Sequence, residues 1–90
     1  MSMYGANPEQ LTSLGTTLTN QIDAVNGIVE HVNGVLENTL WQGPAKERFA
    51  ELWHGEFRQT FESVKESLGA AGKDCTSRAE ELRRVMGVAG

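Results

Sequence analysis

The segment Leu40-Trp41-Gln42-Gly43-Pro44 lies near the midpoint of a 90-residue chain and holds one of its two prolines. Proline has no backbone N–H and a φ already close to the helical value, so it favours the first helical position. Gly43 leaves the chain free to turn just before it. Trp41 offers a large ring to cover the apolar end of a helical assembly. The other proline stands in Asn7-Pro8-Glu9-Gln10, which reads as an N-cap, a first helical residue and a glutamine three after the cap. No strong breaker interrupts residues 8–40, or the run from 44 to the mid-80s. At about 1.5 Å per residue these would be helices of roughly 50–60 Å. The expected fold is all-α: an antiparallel helical hairpin in a single domain over 1–90, with helix 1 at about 8–40, a turn at 41–43 and helix 2 at about 44–86.

Periodicity supports two long helices. In the first arm Leu11, Gly15, Leu18, Ile22, Val25, Val29, Val32 and Leu36 alternate steps of four and three. That spacing keeps one stripe of a helix facing a partner. In the second arm Phe57, Phe61, Val64, Leu68, Ala71 and Cys75 alternate likewise, Leu82 and Met86 resume the pattern, and Phe49 and Trp53 extend it back to the turn. A fold-back at Gln42 pairs residues whose numbers sum to about 85: Val32 with Trp53, Ile22 with Val64, Leu18 with Leu68, Gly15 with Ala71. Arg78–Gly90 would then overhang the hairpin. Gly69-Ala70-Ala71-Gly72 weakens helix 2, at about 1 kcal/mol per glycine relative to alanine, and a continuous helix is expected through it.

Leu14, Ile28 and Val35 form a further stripe beside the first seam, at multiples of seven residues. One partner helix cannot bury both stripes. Leaving large apolar side chains wet forgoes about 1.5–3 kcal/mol each, which matters to a small, marginally stable chain. These three residues are therefore the expected dimer interface, joining two hairpins into a four-helix bundle.

Composition narrows the function. Twelve acidic and eight basic residues give a formal charge of −4, which argues against nucleic acid or anionic lipid as the main partner. The single cysteine, Cys75, excludes an internal disulfide framework and falls on the apolar seam, where it acts as a small hydrophobe. His31 and His54 come close in the expected register, beside Glu30 and Glu51; a zinc or pH-sensitive site is conceivable there, and two solvent-facing histidines are the simpler reading. No phosphate-cradling loop and no nucleophile beside a base occurs, so a protein without catalysis, cofactor or metal is expected. The start of the chain lacks a basic segment followed by an apolar one, and a cleaved signal peptide is not expected.

Trp41 and Gly43 form a Trp-x-Gly motif between two long amphipathic helices in a chain of this length. In this the sequence resembles the WXG family of early secreted antigens, the small substrates of type VII (ESX-like) secretion systems in actinobacteria and other Gram-positive bacteria. The resemblance implies a hairpin that dimerises head to tail, with itself or with a second WXG-type chain. It also implies export through a membrane-embedded secretion ATPase, secretion without a cleaved signal, and membrane contact only through that machinery. Family members also carry a C-terminal export signal, a tyrosine followed four residues later by Asp or Glu. The best positional match here is Thr76-Ser77-Arg78-Ala79-Glu80, in which Glu80 keeps the acid and Thr76 replaces the ring. Beyond it Leu82, Val85, Met86 and Val88 would present an apolar edge, the tail that in the family engages the ATPase; packing on a second hairpin is the plainer alternative. An intracellular hairpin adaptor or export chaperone would share the same fold.

Overall fold

The computed structural model describes residues 5–87. They form a single antiparallel hairpin, a rod of 65 × 19 × 19 Å, with no strand among the described residues. Helix α1 spans Pro8–Glu37. Its start is capped by Asn7, whose side-chain oxygen accepts from the Gln10 backbone N–H at 3.1 Å. It ends three residues earlier than the expected position 40. There the Asn38 side-chain amide donates to the Gly34 carbonyl at 2.9 Å, and the Thr39 hydroxyl donates to the Val35 carbonyl at 2.6 Å. The Asn38 backbone N–H still reaches the Gly34 carbonyl, but at Val35 the Thr39 hydroxyl takes the acceptor while the Thr39 N–H turns to the Leu36 carbonyl, and the helix stops.

The chain returns through residues 38–43 to α2, Pro44–Leu52. Gly43 has φ +114°, a conformation closed to most side chains, and its carbonyl accepts the first bond of α2 from Glu47. The second arm then departs from a plain α-helix. Trp53–Phe57 forms a π-helical turn, and α3 runs from Arg58 to Val85. Helix α3 is unbroken through Gly69–Gly72 and is closed by Gly87, at φ +70°, whose N–H donates to the Arg84 carbonyl.

The π turn has a local cause. Phe49, Trp53, Phe57 and Phe61 follow at three successive steps of four, twelve residues where three α-turns hold about 10.8. A single turn with one extra residue absorbs the surplus, so Trp53 and Phe61 both face α1. Their rings meet edge to face, with centroids 5.7 Å apart.

The consequence is a rotation of α3 by about 100° relative to a continuous helix. The observed seam is Phe61, Lys65, Leu68, Gly72, Cys75, Ala79 and Leu82, all buried or half-buried. Val64 and Ala71, expected in the seam, are exposed instead, and Phe57 with them. Pairing shifts accordingly: Ile22 approaches Gly69 rather than Val64, and Gly15 meets Gly72, Cys75 and Thr76 rather than Ala71. The residue spent in the π turn moves α3 in this direction.

The expected overhang is correspondingly shorter. Ala79 is fully buried, Leu82 is half-buried, and Arg83 donates to the Thr12 hydroxyl at 3.2 Å. Helix pairing therefore extends to Arg83, and only the last described residues project beyond it. Val88–Gly90 lie outside the described residues.

Candidate interaction face

The two flanks of the helix seam differ in chemistry. On one flank, α1 carries Thr12, Thr19, Asn26 and Asn33, each one residue after a seam position. Each of the four meets the second arm. Thr12 accepts from Arg83, and the Thr19 hydroxyl lies against Gly72. Asn26 accepts from the Lys65 ammonium at 2.9 Å, and Lys65 is also paired with Glu62 at 2.6 Å. Asn33 accepts a hydrogen bond from the Trp53 indole N–H. This polar ladder closes one side of the hairpin. The repeat Thr-Thr-Asn-Asn at intervals of seven is present in the sequence, but a period sought among apolar residues alone passes over it.

The other flank is apolar and open. On α1 it carries Leu14, Ile28 and Val35, each one residue before a seam position, and they are 48–54% exposed. On the second arm the equivalent positions are Phe57 and Val64, about 40% exposed, followed by Ala71. In an antiparallel pair, equivalent flanks of the two helices fall on the same side. The contacts of Asn26 with Lys65 and of Thr12 with Arg83 fix the polar side, so Leu14, Ile28, Val35, Phe57 and Val64 share the opposite one. The π turn therefore rotates a stripe that a straight helix would spend on α1 out to this face.

Trp41 stacks in tilted fashion on Phe49, with centroids 5.9 Å apart, and remains 39% exposed. It rests on Phe49 at the turn and does not seal a buried tip. Only Trp53 and Ala79 are buried apolar residues in the described hairpin. So thin an interior is unusual for a chain of this size, whose stability normally rests on buried apolar area.

The remaining sequence candidates are placed as follows. Thr76 donates to the Gly72 carbonyl and its hydroxyl lies beside Gly15, at the exposed edge of the helix contact; Glu80 is exposed as well. Thr76 is thus no part of a free tail, because α3 pairs beyond it. Leu82 lines an open notch with Ala6 and Leu11 and is not free either, while Val85 and Met86 are exposed. Cys75 is a half-buried free thiol on the seam. His31 and His54 line separate surface depressions, the first with Glu30 and Val35, the second with Arg58 and Glu62. No cluster of three or more His, Cys, Asp or Glu suited to a metal ion occurs among the described residues. None of the described helices is long and apolar enough to cross a membrane.

Charge is divided unevenly. Residues 1–45 contain Glu9, Asp23, Glu30 and Glu37 and no Lys or Arg, so the formal charge of −4 resides there; all eight basic residues lie from Lys46 onward, balanced by eight acids. Asp23, Glu30 and Glu37 each follow a seam position by one, on the side of α1 away from the apolar strip, and Glu9 lies in the first turn of the helix. Asp74 and Arg78 pair with each other at 2.9 Å near the open end. Comparison with family models, curated proteins and solved structures gives no match.

Proposed function

We propose that this chain is a non-catalytic secreted protein of the WXG type, exported by a type VII secretion system and acting as a dimer through protein–protein recognition. The observation that carries the reading is the helical hairpin whose connection holds Trp41 and Gly43, with Gly43 in a backbone conformation that favours glycine. The exposed strip beside it accords with an obligate partner, itself or a second WXG-type chain. Glu80, Val85 and Met86, all exposed, are the residues this reading assigns to contact with the secretion ATPase.

The test is export. In a Gram-positive or actinobacterial host with an active type VII system, the chain should accumulate in culture medium free of a cytosolic marker. Accumulation should stop when the secretion ATPase is inactivated. Retention in the cytosol of an export-competent host would overturn the reading in favour of an intracellular adaptor or export chaperone.

A further inference from the structure

At the open end of the hairpin a notch of about 390 Å³ lies between the start of α1 and the end of α3, walled by Ala6, Leu11, Arg78, Glu81, Leu82 and Val85. The way α1 begins ties one wall together. Asn7 is the N-cap, so Ala6 stands just before the cap and Leu11 is the fourth helical residue. An apolar pair at these two positions fixes the angle at which a chain enters its helix. Both face the notch, so the chain enters α1 across the last two turns of α3. There Val85 is 83% exposed, because α1 begins only at Pro8. Directly before Gly5 come Met1-Ser2-Met3-Tyr4, with three large apolar or aromatic side chains and no charged one. Tyr4 is two residues from Ala6, at most about 7 Å of extended chain. Val85 lies about 4.5 Å beyond Leu82 along α3, so the whole notch is within its reach. Arg78, anchored by its 2.9 Å bond to Asp74, offers the flat face of a guanidinium to an aromatic ring.

We propose that the notch is the docking site for Met1–Tyr4 of the same chain, with the Tyr4 ring against Leu82 and Val85 and beside the Arg78 guanidinium, as a clasp that closes the open end of the hairpin. The gain is burial of the Val85 side chain and an aromatic ring that water would otherwise surround. Val85 also belongs to the edge assigned above to the secretion ATPase, so the clasp and the ATPase exclude each other there. That consequence rests on the export reading; the clasp itself does not.

Tyr4 is the single tyrosine of the chain, so its ring protons are unambiguous in isotope-edited NMR of the full-length protein. Nuclear Overhauser contacts from the ring to the methyl groups of Leu82 and Val85 are expected, with those methyls displaced upfield by the ring. Tyr4→Ser should abolish the upfield displacement. Val85→Asp, at a site on which little of the hairpin rests, should abolish the ring contacts with helical circular dichroism retained. Absence of the contacts in the native chain overturns the proposal. So do methyl positions indifferent to Tyr4→Ser, since another group then fills the notch. In a mixture of labelled and unlabelled chains, contacts found only between different molecules overturn it as well, since a second copy then supplies the ring. Export is read separately: an exported chain without the contacts sinks the clasp alone, and a clasped chain that stays in the cell sinks the export reading alone.

Discussion

The carbonyl oxygen of Gly72 stands 2.7 Å from the point a Cβ would occupy on Gly15, and the Gly15 carbonyl lies 2.9 Å from the same point on Gly72. The two helices touch backbone to backbone here, in the half of the hairpin away from the turn. A methyl group at either position would meet main-chain oxygen, which cannot rotate away as a side chain can.

Gly15→Ala and Gly72→Ala should therefore each destabilise the protein despite the better helix propensity of alanine. Overpacking costs about 1–3 kcal/mol, against about 1 kcal/mol gained from propensity. Gly27→Ala and Gly34→Ala meet nothing within 4 Å and should stabilise by up to about 1 kcal/mol each. Thermal melts followed by circular dichroism should move in opposite directions for the two pairs. A higher melting temperature for Gly72→Ala would show that the helices do not approach this closely.

Asn33 and Trp53 provide the second expectation. Trp53 is 5% exposed, and its indole N–H has Asn33 as its partner. Asn33→Ala strands that donor and should cost about 1–3 kcal/mol. Trp53→Phe removes the donor as well, so the double variant should be less destabilised than the sum of the single ones. Additive effects in that double-mutant cycle would mean the bond contributes nothing.

How much of this is legible in the sequence can be judged residue by residue. The stripe from Leu11 to Leu36, Pro8, Pro44 and the hairpin are readable because amphipathic period and helix starts are local signals. Leu14, Ile28 and Val35 are readable for the same reason, since a seam of given width leaves a definite flank. Val64 and Ala71 are misplaced by a heptad count because it assumes constant phase, and one extra residue per turn at Trp53–Phe57 changes the phase of everything after it. The three successive steps of four from Phe49 to Phe61 carry that information. The burial of Ala79 depends in turn on the same shift.

Deletion of Gly55 addresses the π turn directly. It would leave Trp53 and Phe61 seven residues apart, so a plain α-helix could hold both on the seam without moving any residue of α3 off it. The deleted chain should keep its helicity and melt at the same temperature or higher. Deletion of Ala70, three turns beyond the π turn, should instead rotate Gly72, Ala79 and Leu82 away from α1 and lower the melting temperature sharply. At this chain length each 1 kcal/mol corresponds to about 4–8 °C. Unfolding on loss of Gly55 would mean that the extra residue is needed for more than phase.

Trp41 and Gly43 separate stability from recognition at the turn. Gly43→Ala forces a side chain into φ +114°, at a cost of about 1–3 kcal/mol. That cost is purely conformational, since nothing lies within 4 Å of the added carbon. Trp41→Ala removes a ring that is 39% exposed and rests on Phe49. It should cost the isolated hairpin only about 1–2 kcal/mol, well below the roughly 3–5 kcal/mol typical of a fully buried aromatic. If the ring also contributes to partner or export contacts, its loss should reduce accumulation in the medium by much more than Gly43→Ala of matched stability. Equal export of the two variants would confine Trp41 to a structural part in the turn.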